Sequence, residues 1–104
     1  MNIPTEFKCA GNTIKVNLVD KTDNNNYGNW CDATNTINVA KTIEVDNKTT
    51  VNLTEDQIFN TFVHELVHCF QFYFDNSYNE AQAQVYANFL CEYFNSVAVE
   101  DEYA

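Results

Sequence analysis

The segment from Thr54 to Phe74 constrains the fold most, because it is long enough for a buried helix and contains no Gly or Pro. It opens with Thr54-Glu55-Asp56-Gln57, where a hydroxyl residue is followed three positions later by Gln, the pattern of a helix capping box. Apolar residues then recur at the spacing of one helix face: Phe59, Phe62, Val63, Leu66, Val67 and Phe70. The segment is therefore predicted to be one helix with a broad apolar face.

A second helix is predicted over about 79–97, after the polar break Asp75-Asn76-Ser77. Because the connection is short, the two helices should pack as an antiparallel or steeply crossed pair. We expect the acidic tail Glu100–Ala104 to be frayed. One face of the second helix carries small and apolar residues, namely Ala83, Tyr86, Ala87, Leu90 and Phe94.

The first half of the chain has the patterns of β-strands. Thr13–Asp20 alternates apolar and polar residues, as a half-buried strand does. Asn29–Asp32 and Thr36–Ala40 flank a short polar segment and are predicted to form a hairpin. We expect Thr42–Val45 to continue the same sheet and Asp46–Thr50 to be a turn or loop. The fold class predicted is α+β, with a small antiparallel β-sheet at the N-terminus followed by two packed helices.

Length and charge limit the functions that the chain can have. Its 104 residues, 45% of them hydrophobic, predict a single domain over residues 1–104. With 5 basic and 15 acidic residues, the net charge is −10, which excludes the basic surface that nucleic acids and anionic membranes require. No secretory signal or membrane-length apolar stretch is visible, so we expect a cytoplasmic protein with four reduced cysteines.

The first predicted helix carries a His-Glu-x-x-His motif at His64, Glu65 and His68. Residues four apart lie on one helix face, so both imidazoles can reach one ion, and imidazole nitrogens bind Zn²⁺ well. Glu65 can reach a water at the metal without ligating it, which suits a general base. Packed core histidines are the alternative interpretation, but the chain has only two histidines and both lie in the motif. We therefore predict a Zn²⁺ site with Glu65 as a catalytic residue.

The third zinc ligand is expected to be Glu80. A catalytic zinc takes three protein ligands and leaves one position for water. With no further His, that ligand must be a carboxylate or a thiolate. Glu80 opens the second helix, where the chain has turned back towards the first, and Asp75 and Glu92 are the alternatives. Cys69 adjoins His68 but points about 100° away from the ligand face.

The chemistry predicted is hydrolysis of a peptide bond in a peptide or protein substrate. The oxyanion that forms needs a hydrogen-bond donor besides the metal. We assign this role to Tyr86, with Tyr78 and Tyr73 as alternatives. A substrate could add a strand to the sheet along an edge near Thr36–Ala40.

Taken together, four segments resemble the minimal gluzincin-type metallopeptidases of phages and mobile elements, near the ImmA/IrrE and SprT-like families. The His-Glu-x-x-His segment is the specific one, and the other three are shared by many folds. The resemblance implies a zincin-like fold and a zinc metallopeptidase activity. The segments are Tyr27–Asp32, Thr36–Ala40, Phe62–Cys69 and Asn79–Leu90.

The same resemblance implies that His64, His68 and a carboxylate of the following helix hold the zinc, with Glu65 as the base. In the ImmA/IrrE pattern the ligand Glu directly precedes an Ala-Asn pair. Here Gln82 stands at the equivalent place if Ala83 is aligned to that Ala, and Glu80 lies two residues earlier. An alignment shifted by two residues makes Glu80 the matching ligand.

Two other hypotheses compete with a peptidase. The first is a zinc-stabilised, non-catalytic module for protein interaction or regulation. Glu65 argues against it, because a purely structural site needs ligands but no base. The second is an acidic decoy or regulator that binds a basic protein and holds no metal. Zinc content separates the decoy from the other two hypotheses.

Overall fold

The computed structural model describes residues 3–98, and in them the strands precede two helices. The predicted α+β fold class is confirmed. The expectation for the tail Glu100–Ala104 lies outside the described residues. The elements are β1 Glu6–Cys9, β2 Asn12–Val19, β3 Gly28–Cys31, β4 Thr36–Ala40, β5 Thr42–Val45, β6 Thr49–Asn52, α1 Glu55–Phe74 and α2 Glu80–Ser96.

Four strands form one sheet in the order β1-β2-β4-β3. The pairs β1–β2 and β3–β4 are antiparallel, but β2 and β4 run parallel, with Val16 opposite Ile37. The expectation of a wholly antiparallel sheet is wrong at this pair. The reason is the loop 20–27, which keeps the chain at the end of the sheet where β2 finishes. β3 therefore runs against β2, and its hairpin partner β4, inserted between them, runs with β2.

The strand β5 does not continue this sheet, contrary to the expectation for Thr42–Val45. It pairs with β6 in a separate two-stranded sheet. Asp46 and Asn47 make the tight turn between them with φ angles of 57° and 60°, a region that Asp and Asn tolerate better than most residues. The turn expected over Asp46–Thr50 is therefore shorter, because its last two residues begin β6.

The core lies between one face of the larger sheet and α1. Ile14 and Val16 are buried at alternate positions of β2, as the period of two predicted, and Ile37 and Val39 are buried on β4. Side chains of α1 cover this face of the sheet. The residues that α1 contributes to the core are Phe59, Phe62, Val63 and Cys69.

The capping box at the start of α1 is confirmed. The Thr54 hydroxyl accepts the Gln57 backbone N–H across 3.1 Å, and the Gln57 side chain accepts the Thr54 backbone N–H across 2.8 Å. α1 ends at Phe74, where Asn76 adopts a φ of 56° and turns the chain back. Asn79 then caps α2 by accepting the backbone N–H of Gln82 across 2.8 Å.

The two helices pack antiparallel, because side-chain contacts join their turns in opposite order. The contacts run from one end of the pair to the other: Asp56 with Asn95, Asn60 with Asn88, and His68 with Glu80. This arrangement brings the first turn of α2 beside the second half of α1. Within residues 3–98, neither helix is apolar over a stretch long enough to cross a membrane.

Candidate metal centre

His64 and His68 lie on adjacent turns of α1 with their rings turned towards one point. Their Nε2 atoms are 3.2 Å apart, and the ring centroids are separated by 4.8 Å. His68 is buried and His64 is half-buried. The two imidazoles therefore converge, as their four-residue spacing on a helix predicts.

Glu80, in the first turn of α2, completes a group of three donor residues. Its Oε2 lies 3.3 Å from Nε2 of His64, and its Oε1 contacts Nε2 of His68. Zinc bonds of the usual length place neighbouring tetrahedral ligands about 3.3–3.5 Å apart. The spacings of 3.2 and 3.3 Å are close to that range, and all three residues offer donor atoms within 4.8 Å of one another. Two imidazoles and one carboxylate are a donor set that suits a catalytic zinc.

Both imidazoles also contact a glutamine through Nδ1. The distance from Nδ1 to the amide oxygen is 2.9 Å for His68 and Gln71, and 3.0 Å for His64 and Gln84. An amide oxygen only accepts hydrogen bonds, so Nδ1 of His68, beside the Gln71 oxygen, carries a proton. Nε2 of each imidazole faces the point that the Glu80 carboxylate also approaches.

Sequence reasoning did not identify either glutamine. A helical spacing was the available signal, because Gln71 follows His68 by three residues and Gln84 follows Glu80 by four. Such spacings place each glutamine on the same helix face as a predicted ligand.

Glu65 lies beside the donor group and is half-buried. Burial is the largest influence on its carboxyl and raises its pKa, and the nearby Glu80 carboxylate raises it further. The two imidazoles and the backbone N–H of Trp30 lower this pKa without cancelling the rise. A carboxyl with a raised pKa holds and releases a proton closer to neutral pH, which suits a group that takes a proton from water.

Two cavities meet at Glu65. One has a volume of about 340 Å³ and is lined by Trp30, Tyr78 and Glu80 among others. The other has about 290 Å³ and is lined by residues that include Gly28 and His64. Glu65 therefore lies between two cavities, with His68 and Glu80 lining the first and His64 the second, and the two cavities together are called the groove below.

The structure brings Tyr78 to this groove and places Tyr86 and Tyr73 elsewhere. The ring of Tyr78 packs edge-on against His68, with centroids 5.5 Å apart. Tyr86 follows Glu80 by six residues, which turns it to another face of α2, and it lines a separate apolar cavity with Leu66. The Tyr73 hydroxyl instead contacts the side chain of Asn35.

The remaining candidate ligands lie away from the donor group. Asp75 ends α1 and accepts the backbone N–H of Ser77 across 3.0 Å. Glu92 is about 18 Å along α2 from Glu80, given the rise of each helical residue. Cys69 is fully buried on another side of α1, where its thiol contacts Cys9. Of the predicted alternatives, the structure thus brings only Glu80 to the two histidines.

Comparisons with protein-family models, curated proteins and solved structures find no match for this chain. The resemblance to gluzincin-type peptidases therefore stays a prediction. What the centre can do chemically follows from its own groups: two imidazoles and a carboxylate that can hold a divalent ion, and a further acid that can move a proton.

Proposed function

We propose that this chain is a zinc-dependent peptidase whose zinc is held by His64, His68 and Glu80. The observation that carries the proposal is the convergence of three donors from two helices beside an acid that is not needed as a ligand. The Nε2 atoms of the histidines are 3.2 Å apart, and Glu80 contacts both of them. A structural zinc site is usually closed by four protein ligands, whereas three ligands leave a position for water.

Zinc bound at this centre would supply a Lewis acid and make a water nucleophilic near neutral pH. The carboxylate of Glu65 takes a proton from the attacking water as the water oxygen adds to the carbonyl carbon of the peptide bond. When the C–N bond breaks, Glu65 returns the proton to the leaving amine, so the two protons of the water end on the two products. The raised pKa of Glu65 makes its carboxylate a stronger base for the first of these steps.

Tyr78 is the group best placed to stabilise the oxyanion. Its ring lies against His68, and its hydroxyl accepts from the indole N–H of Trp30. The hydroxyl donates to Asp32 across 3.2 Å, a bond that it would exchange for one to the oxyanion. Burial raises the pKa of Tyr78, so its phenol stays protonated and able to donate a hydrogen bond. This proposal replaces Tyr86, the assignment made from sequence, with the tyrosine that lies near the donor group.

The substrate strand is proposed to lie along β3 rather than along Thr36–Ala40. That segment is β4, which is paired on both sides by β2 and β3 and has no free edge. β3 is the edge strand next to α1, and the backbone N–H of Trp30 on β3 already reaches Glu65. An extended peptide paired with β3 would therefore pass over the acid and the donor group.

The second candidate is the zinc-stabilised, non-catalytic module. One observation favours it: a metal held by His64, His68 and Glu80 would join α1 to α2, as a structural metal joins elements of a small domain. The Glu80 side chain is also 79% exposed, so the centre is shallow. Glu65 argues against this candidate, because its partly buried carboxyl would have no function in a structural zinc site.

The proposed location is a reducing compartment such as the cytoplasm. All four cysteines are free thiols, and they are spread over β1, β3, α1 and α2. Reduced thiols persist where glutathione and thioredoxin act. The net charge of −10 is consistent with a protein partner or peptide substrate rather than a nucleic acid.

Zinc content and hydrolysis, measured on the wild type and Glu65→Gln, test the proposal. We expect about one zinc per chain in both proteins, and peptide hydrolysis that falls by about 10²–10⁴-fold in the variant. Glu92→Gln on the exposed part of α2 is the matched control and should keep full activity. Zinc without hydrolysis across a broad peptide library would support the non-catalytic module. Absence of zinc after metal is supplied would overturn both candidates.

A further inference from the structure

Gln71 is a buried polar side chain, with 5% of its surface exposed, at the junction of the two helices. Its amide makes four contacts. The oxygen accepts the backbone N–H of Asn79 across 3.1 Å and lies 2.9 Å from Nδ1 of His68. The nitrogen donates to the Asn79 carbonyl across 3.2 Å and to Oε1 of Gln82 across 2.7 Å. Both ends of the amide are thus satisfied.

The contacts with Asn79 decide which end of the Gln71 amide faces His68. A backbone N–H can only donate and a backbone carbonyl can only accept, so the oxygen of Gln71 must face the Asn79 N–H and its nitrogen must face the Asn79 carbonyl. A flipped amide would place like groups together at both positions. The atom beside Nδ1 of His68 is therefore an acceptor, and His68 carries its proton on Nδ1.

Gln71 also connects His68 to the start of α2. Asn79 is the N-cap of α2, and the next residue is Glu80. By binding both backbone groups of Asn79, Gln71 holds the residue before Glu80 at a constant position relative to His68. One side chain thus acts on two members of the donor group that are twelve residues apart in sequence.

We infer that Gln71 is a positioning residue of the metal centre, which keeps the Nε2 lone pair of His68 free and sets the approach of Glu80. The inference rests on the proposed zinc site but not on catalysis. Outer residues that orient a histidine ligand typically contribute about 10–100-fold to metal affinity. Gln71 would do so as a neutral amide, leaving the charge of the centre unchanged.

The tautomer of His68 is the first test, and it uses the intact wild-type protein. Long-range ¹H–¹⁵N spectra of ¹⁵N-labelled, metal-free protein distinguish a proton on Nδ1 from one on Nε2. We expect Nδ1 of His68 to carry a proton in the wild type and in Gln71→Glu, whose carboxylate still accepts from Nδ1. A second proton on Nε2, beside the Glu80 carboxylate, is compatible with this expectation. In Gln71→Met, which keeps the size but removes the acceptor, Nδ1 should lose its proton and the proton should lie on Nε2, beside the Glu80 carboxylate.

Zinc affinity is the second test, with Gln82→Met as the matched control. The Gln82 side chain accepts a hydrogen bond from the amide nitrogen of Gln71. Among the described residues it makes no hydrogen bond with His68. We expect the Kd for zinc to rise by about 10–100-fold in Gln71→Met and to stay near the wild-type value in Gln82→Met. A purely structural role for Gln71 predicts equal losses in the two variants.

Three outcomes are decisive. Absence of a proton from Nδ1 of His68 in a wild type that binds zinc would overturn the role of Gln71 and leave the proposed function standing. Equal zinc affinities of the Gln71→Met and Gln82→Met variants would do the same. Failure of the wild type to bind zinc would overturn the proposed function itself, and the positioning role with it.

Discussion

The indole N–H of Trp30 donates a hydrogen bond to the hydroxyl of Tyr78 across 3.0 Å. This bond joins the edge strand β3 to the connection between the helices, two residues before Glu80. The Tyr78 hydroxyl in turn donates to Asp32 across 3.2 Å, and the Tyr78 ring packs on His68. The strand edge, the helix junction and the donor group are therefore linked at one rim of the groove.

Removing the Tyr78 hydroxyl should slow hydrolysis without weakening zinc binding. If the phenol stabilises the oxyanion, Tyr78→Phe should lower kcat by about 10²–10³-fold while KM changes little. Tyr86→Phe removes the same atom from a tyrosine that lines another cavity and should leave kcat unchanged. Steady-state kinetics on one peptide substrate measure both variants. A loss of kcat in Tyr86→Phe and none in Tyr78→Phe would return the role to Tyr86.

Glu80→Gln should weaken zinc binding more than any other single carboxylate change. The carboxylate lies 3.3 Å from Nε2 of His64 and also contacts His68, and an amide oxygen is a poorer, uncharged ligand. Loss of a residue that only orients a ligand typically weakens metal binding by about 10–100-fold, and we expect the Kd for zinc to rise by more than this. Competition with a chelator of known affinity measures the Kd. Asp75→Asn and Glu92→Gln are the controls, and a larger effect in either would reassign the third ligand.

Gly28→Ala should disturb the contact between β3 and α1. An added Cβ would lie 2.6 Å from Cγ2 of Thr61 and 2.8 Å from the backbone oxygen of Asn38, which belongs to the neighbouring strand and cannot yield easily. We expect a loss of about 1–3 kcal/mol in the free energy of unfolding, measured with urea. The movement of β3 that relieves these contacts should also lower activity, because the added Cβ lies 3.6 Å from Cγ of Glu65.

Gly11→Ala is the control for that variant. Gly11 has a φ of 81° and nothing within 4 Å of an added Cβ. The expected loss of about 1 kcal/mol in the free energy of unfolding therefore comes from the positive φ and not from a steric clash. It lies in the turn between β1 and β2, remote in sequence from every residue of the donor group. Activity of folded Gly11→Ala should match the wild type. An equal loss of activity in both glycine variants would contradict the steric argument.

Alkaline pH should destabilise the fold through Cys69. Burial raises the pKa of this thiol from its ordinary value of 9.0 to about 12, and the neighbouring Cys9 adds to the rise. Between these pH values the unfolded chain loses the proton and the folded chain keeps it, so the folded state binds more protons. The free energy of unfolding therefore falls as pH rises, by at most about 1.4 kcal/mol per pH unit from this group.

Urea unfolding at pH 8 and pH 10, compared between the wild type and Cys69→Ala, measures that contribution. The variant should be less stable at both pH values, because it leaves a cavity in the core. Its loss of stability between the two pH values should be smaller than that of the wild type by about 1 kcal/mol. If the free energy of unfolding falls equally in the two proteins between pH 8 and pH 10, the pKa of Cys69 is not raised in the folded state.

The local parts of the centre could be predicted from sequence. A capping box and an unbroken apolar face indicated the first helix, and the structure has it over Glu55–Phe74. The helical period then placed His64 and His68 on one face, because residues four apart on a helix lie one above the other, and Glu65 follows His64 directly. The choice of Glu80 among three acids depended on the short connection between the helices, which the structure also contains.

The rest depended on contacts between distant segments. The periods of β2 and β4 indicated strands but not their parallel pairing, which the path of the loop 20–27 decides. The sequence contains six tyrosines and gives no reason to prefer one hydroxyl over another. The contact between the Tyr78 ring and His68, which depends on tertiary packing, distinguishes Tyr78. Gln71 became significant through its bonds to Asn79, which no local pattern contains. Helical periodicity depends on residues a few positions apart, so it can be predicted from the sequence. The contacts across the groove join residues far apart in the chain, so they depend on how the whole chain packs.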